Sequence, residues 1–167
     1  AVSKCDYAHS DPIQIETAAV VDDIVIRSNV LIASASGMAY LRFYGNGTNV
    51  TIENNLCYGD AANAFEVGGV SSGLKIYNNT FGSGLKLSTG YSASGSTLPS
   101  IVDELYNNVM ESYSQSADVN ETLYLRVVSH GNNIFGSSPN GQGGPTYPFV
   151  LNSTEGVTSS LNALFTN

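Results

Sequence analysis

Tryptophan is absent from this chain of 167 residues, and charge is scarce, with Asp, Glu, Lys and Arg together making up 12%. Basic residues are fewest: six Lys and Arg stand against fourteen Asp and Glu, a formal net charge of -8. That balance repels phosphate backbones and excludes nucleic acid as an expected partner, while an anionic polymer needs a local basic patch. No run approaches the roughly 18 consecutive apolar residues of a membrane span, so no membrane insertion is expected. The first residues lack the charged-then-apolar layout of a signal peptide. No window sustains a 3.6-residue apolar period, which argues against helices.

What is present favours strands and turns. Asn and Gly number 17 each and Tyr ten, and hydrophobic residues reach 42%, enough for an ordinary core in a single domain. The fold is expected to be all-β, one module over residues 1–167.

Self-similarity is plain on inspection. Ile24-Val25-Ile26-Arg27-Ser28-Asn29-Val30-Leu31 recurs as Val50-Thr51-Ile52-Glu53-Asn54-Asn55-Leu56-Cys57 and as Leu74-Lys75-Ile76-Tyr77-Asn78-Asn79-Thr80-Phe81. Weaker copies are Asp103-Glu104-Leu105-Tyr106-Asn107-Asn108-Val109-Met110 and Val128-Ser129-His130-Gly131-Asn132-Asn133-Ile134-Phe135. The second Asn advances by 26, 24, 29 and 25 residues, a drifting period that reads as the length of one coil. Each clear copy is a strand with one buried face, a tight bend, and another short strand.

Asn suits the bend because it tolerates the left-handed backbone, and its amide both donates and accepts. Stacked coil on coil, Asn29, Asn55, Asn79, Asn108 and Asn133 are expected to form a hydrogen-bonded ladder. A second short strand lies between copies at Ile13, Leu41, Phe65 and Leu85, with an outward column Gln14, Arg42, Glu66, Lys86 that reads as a solvated charge ladder. The Gly-, Ser- and Pro-rich stretches 88–100 and 136–148 read as loops from a corner.

The apolar-x-Ile-x-Asn-Asn-apolar copies resemble the right-handed parallel β-helix superfamily of pectate-lyase-like proteins and phage tailspikes, over Cys5 to Phe135. The resemblance implies a right-handed solenoid, here of about five or six coils. Neither end carries an obvious cap, so the ends are expected to be uncapped and the chain a segment of a longer protein or a subunit of an assembly. Cys5 and Cys57 fall two coils apart, roughly 9 to 10 Å at the usual strand spacing. That exceeds the roughly 7 Å reach of a disulfide, so both are expected to be free core thiols.

Catalytic candidates are weak. Asp11 and His9 lie in a polar corner similar to the Asp-bearing segments of polygalacturonase-type hydrolases, but no second carboxylate is in view to pair with Asp11. Otherwise Asp11 caps a turn and His9 is a solvated neighbour. Arg27 and Lys75 are the basic residues a lyase uses to take a proton beside a uronate, and they stand two coils apart on the outward face.

The outward columns there are Arg27, Glu53, Tyr77, Tyr106 and Val25, Thr51, Lys75, Glu104. Tyr77 and Tyr106 with Glu53 offer a sugar-binding surface, or else an aromatic stack that stiffens the coil. Calcium finds too few oxygens in Glu53 and Glu104, and no metal or cofactor is expected. Asp22-Asp23 reads as a turn. Five Asn-x-Ser/Thr triplets begin at Asn46, Asn49, Asn78, Asn120 and Asn152, the third inside the repeat motif where a glycan is not expected to fit.

The expectation for function is an extracellular, cell-surface or virion module with a structural, assembly or glycan-binding role. Its partners would be a polysaccharide, or copies of itself or a parent chain at the ends. The alternative is a fragment of a polysaccharide lyase or glycoside hydrolase acting on acidic polysaccharide.

Overall fold

The computed structural model describes residues 13–33, 39–59, 63–82, 85–88, 101–110, 113–116, 126–136 and 150–158. Among the described residues there is no helix, and every strand pairing is parallel. The strands fall into successive layers. The first is β1 (Ile13–Arg27) and β2 (Val30–Ala33), and the second β3 (Ala39–Glu53) and β4 (Leu56–Gly59). The third is β5 (Asn63–Ser72), β6 (Leu74–Tyr77) and β7 (Thr80–Phe81). The fourth is β8 (Leu85–Ser88), β9 (Ile101–Tyr106) and β10 (Val109–Met110), and the fifth β11 (Tyr113–Ser116), β12 (Arg126–Gly131) and β13 (Ile134–Phe135). A sixth contributes β14 (Gly156–Val157).

Two sheets result, one of eight strands and one of six, each built from equivalent segments of consecutive layers. The arrangement is compatible with a β-helix-like fold. Cys5, His9 and Asp11 lie outside the described residues, as do the stretches expected as loops at 88–100 and 136–148, apart from Ser88 and Gly136.

Alternation decides which side chains face inward. One inward column of the larger sheet is Ile26, Ile52, Ile76, Leu105, and the smaller sheet contributes Leu31, Cys57, Phe81, Met110, Phe135. All nine belong to one buried cluster. Burying an aliphatic or aromatic side chain of this size contributes about 1.5–3 kcal/mol, so the stacked columns dominate stability.

Between the columns runs the asparagine ladder. Asn55, Asn79, Asn108 and Asn133 are buried. Asn29 Nδ2 donates to Asn55 Oδ1, Asn55 Nδ2 to Asn79 Oδ1, and Asn79 Nδ2 to Asn108 Oδ1, each at 3.0 Å. Asn108 Nδ2 donates to Asn133 Oδ1 at 3.1 Å. The backbone N–H of each donor residue reaches the same Oδ1.

The two residues of each pair divide the work. The first turns the corner: Ser28, Asn54, Asn78, Asn107 and Asn132 have φ between 53° and 57°. The second makes the ladder. Asn78 therefore faces solvent while Asn79 is buried, so the first half of the motif is the accessible half.

Two expectations change. The strand at Ile13 and the repeat strand at Ile24 are not separate: β1 and β3 each run 15 residues through the corner. Asp22-Asp23 is thus a bend inside a strand rather than a chain-reversing turn. Asp23 and Asn49 adopt φ of 57° and 54°, and Gly73 follows at 72°. A Cβ at Gly73 would meet Asn49 Oδ1 at 2.6 Å, so both its φ and its surroundings require glycine there.

The fourth and fifth copies also align differently. Val102 and Val127, not Asp103 and Val128, continue the inward column of Leu74, because one residue bulges out in each layer. The displaced Asp103 carboxylate accepts the Gly73 N–H, and Val128 is exposed.

Asn78→Gly is expected to change stability by no more than about 0.5 kcal/mol and Asn78→Val to cost about 1–2 kcal/mol, since only backbone conformation is at stake there. Asn79→Ala should cost about 3 kcal/mol, because it strips Asn55 Nδ2 of its acceptor and the Ile52 carbonyl of its donor in a buried site. Urea denaturation of the three variants gives the ranking; equal losses at the two positions would show that the division of labour is wrong.

Candidate functional site

The outward face of β6, β9 and β12, with the ends of β1 and β3, carries the polar residues of greatest chemical interest. The strand registers bring Arg27, Glu53, Tyr77, Tyr106 and Gly131 into one column and Val25, Thr51, Lys75, Glu104 and Ser129 into its neighbour. Gln14, Arg42, Glu66 and Lys86 form a third register column, in the β1, β3, β5 and β8 part of the sheet.

Glu104 is the centre of this surface. Lys75 Nζ lies 3.1 Å from its Oε1, and the Tyr77 hydroxyl donates to its Oε2 at 2.5 Å. The Tyr77 hydrogen bond first, then Lys75, hold the Glu104 carboxyl below the usual carboxylate range, against the opposing effect of desolvation. Desolvation first, then the hydrogen bond to Glu104 and the charges of Glu104 and Glu53, push the Tyr77 phenol well above its ordinary value.

The two tyrosines share one geometry. Each hydroxyl reaches the residue two positions before the tyrosine's own cross-strand partner: Tyr77 reaches Glu104 beside Tyr106, and Tyr106 bonds Ser129 beside Gly131. The rings therefore lean along the stack in the same sense. Gly131 leaves room for this, since a Cβ there would come 3.0 Å from Tyr106 Cε1 and 3.1 Å from Thr154 Oγ1. The sequence shows two tyrosines in a column; the tilt and the role of Gly131 become visible only in three dimensions.

Of the sequence-predicted residues, Lys75 joins the Glu104–Tyr77 cluster, Glu53 acts on it through charge, and Arg27 stands exposed two layers away. Among the described residues no group of His, Cys, Asp and Glu gathers as a metal site would. Asp22 Oδ1 accepts from Thr48 Oγ1 at 2.5 Å and Asn49 Nδ2 at 2.9 Å, and the threonine contact chiefly lowers its pKa. These bonds tie two layers at the corner. Cys57 is free and buried, and desolvation pushes its thiol up to about 12.

His130 is the residue the sequence undervalued. It occupies the inward column after Ile76 and Leu105 and bonds Glu155 in the next layer, Nδ1 to Oε2 at 2.8 Å. A repeat-based reading has no place for this pair, because neither residue recurs.

Comparison with protein-family models, with curated proteins and with solved structures returns no match. No helix among the described residues is long and apolar enough to cross a membrane.

Two measurements check these environments. Because the folded Tyr77 pKa is raised, its contribution to stability is complete below the unfolded phenol value of about 10 and is lost as pH rises through the folded value. Stability measured from pH 8 upward should fall, and fall less steeply in Tyr77→Phe; identical slopes would remove the assignment. Alkylation of Cys57 at pH 8, mapped by mass spectrometry, is expected to be roughly 100-fold or more slower in native than in denatured protein. Comparable rates would place the thiol at the surface.

Proposed function

We propose that this chain is a right-handed parallel β-helix module of an extracellular, cell-surface or virion protein, with a structural role in assembly. The observation that carries this reading is the ladder: five consecutive layers spend their asparagine amides on one another, which supports a scaffold whose stability runs along the stack. The outward face supports it too, since Lys75 and the Tyr77 hydroxyl are both bonded to Glu104 and the Tyr106 hydroxyl is bonded to Ser129.

A patch on the smaller sheet supports contact with further copies. Val30 and Ile32 stand beside their cross-strand partners Leu56 and Tyr58, all four exposed.

A second role rests on the tyrosines. Their half-buried rings, tethered at the hydroxyl and leaning the same way, support the binding of a glycan ring along Tyr77 and Tyr106, with Glu53 at one side. A lyase or hydrolase reading would enlist Arg27 or Lys75 as base, with Asp11 or His9 as further candidates. It is less favoured, because Lys75 is already ion-paired to Glu104.

Polygalacturonate and alginate incubated with the protein are expected to yield no oligosaccharides, and the double variant Arg27→Ala, Lys75→Ala to keep its fold and its sedimentation behaviour. Oligosaccharide release that disappears in the double variant would replace the scaffold reading with the enzyme. Affinity electrophoresis in the presence of soluble polysaccharides tests the tyrosines: retardation that is lost in Tyr106→Ala supports the glycan role, and mobility equal to the variant's in every polysaccharide removes it.

A further inference from the structure

The layer at Val150 to Thr158 breaks the pattern of the others. In layers one to four the N–H and Nδ2 of each ladder asparagine both face the Oδ1 of the next. The pairing of β13 with β14 sets Glu155 opposite Asn133, in the sixth ladder position. Its Oε1 accepts from Asn133 Nδ2 at 2.6 Å, as an asparagine oxygen would. A carboxylate has no proton to hand on. The Glu155 N–H is also turned away, donating to the Asn152 carbonyl at 3.1 Å. No donor of Glu155 faces onward.

The corner before it differs as well. Thr154, in the place of the left-handed residues, has no positive φ; a local turn replaces the bend, with Asn152 Oδ1 accepting from Thr154 N at 2.9 Å and Oγ1 at 2.7 Å.

The Glu155 side chain has 0% exposure, and a buried carboxylate needs compensating donors. Asn152 N supplies one at 3.1 Å and His130 Nδ1 the other at 2.8 Å, both to Oε2. His130 stands where preceding layers place Ile52, Ile76 and Leu105, and Leu151 packs against the core cluster. An aliphatic residue at 130 and an amide at 155 would have continued the repeat. An imidazole and an acid meet there instead.

We propose that Val150–Thr158 is a terminating cap and that the Glu155–His130 pair is the latch that closes the asparagine ladder. A further strand layer or a second copy finds no amide donor on Glu155 with which to extend the ladder. This consequence gives the assembly role a direction and rests on that reading; the latch itself does not.

The test is a double-mutant cycle of His130→Leu and Glu155→Gln, read by hydrogen exchange at the Gly156 and Thr158 amides, which bond the Asn133 and Phe135 carbonyls. His130→Leu alone should lose roughly 100-fold in protection, because the buried Glu155 carboxyl loses a hydrogen-bond partner that leucine cannot replace. In the Glu155→Gln background the same change should cost roughly tenfold or less. His130→Asn, which keeps a donor, should retain more protection than His130→Leu and serves in its place if that variant does not fold. Equal losses from the histidine substitution in both backgrounds would overturn the proposal. The exchange is read whether or not the chain associates, so failure of the latch and failure of the assembly role are separate results.

Discussion

A primary amide buried between two strands has to find partners for two donors and one acceptor, or the layer that holds it is destabilised by its desolvation. In this protein that constraint is met by repetition. Each ladder asparagine takes its acceptor from the next layer and gives its own oxygen to the layer before, and its second donor bond goes to a backbone carbonyl such as Ile26 O, Ile52 O or Ile76 O. A slip of one residue in any layer would both break the chain of amides and turn the aliphatic columns outward. The ladder therefore sets the register of both sheets at once. It also sets the corner, because the residue before each amide must be left-handed to bring it inward.

The core and the outward face answer to this register in different ways. Inward, identical positions stack Ile on Ile and Phe on Met, so contacts are apolar and forgiving of exact shape. Outward, neighbours in adjacent layers are brought within hydrogen-bonding reach, and their chemistry decides whether they gain from it. Lys75 with Glu104 and Tyr77 with Glu104 do. The bulges at Asp103 and Val128 show how the stack absorbs a change in layer length: an extra residue leaves the ladder and core in place and is discharged at the corner, where the Asp103 carboxylate finds the Gly73 N–H.

A repeated pattern ends by substitution of its members. Across the last interface among the described residues the amide becomes a carboxylate and the aliphatic becomes an imidazole, and the two satisfy each other. In the proposed cap the same local chemistry that stabilises the interior of the stack is turned to closing it. The tyrosine surface borders this interface, since Thr154 lies against the Gly131 position over which the Tyr106 ring leans.

Much of this was legible in the residues alone. The parallel layers, the inward columns of the first three copies, the outward columns through Tyr77 and Lys75, and the five ladder positions follow from alternation and from the spacing of Asn pairs, which are local signals reinforced by repetition. The continuity of β1 and β3 was not, because Asp22-Asp23 and Thr48-Asn49 have the composition of a turn whether the chain reverses or only bends. The bulges were hidden because Asp103 and Val128 sit where a strict repeat expects an inward residue, and only pairing with Leu74, Lys75 and their successors shows which residue is extra. The tilt of the tyrosines, the glycine that admits it, and the meeting of His130 with Glu155 were decided by the tertiary structure. Each joins residues 23 to 27 positions apart whose pairing the repeat does not encode, and repetition carries no information about what departs from it.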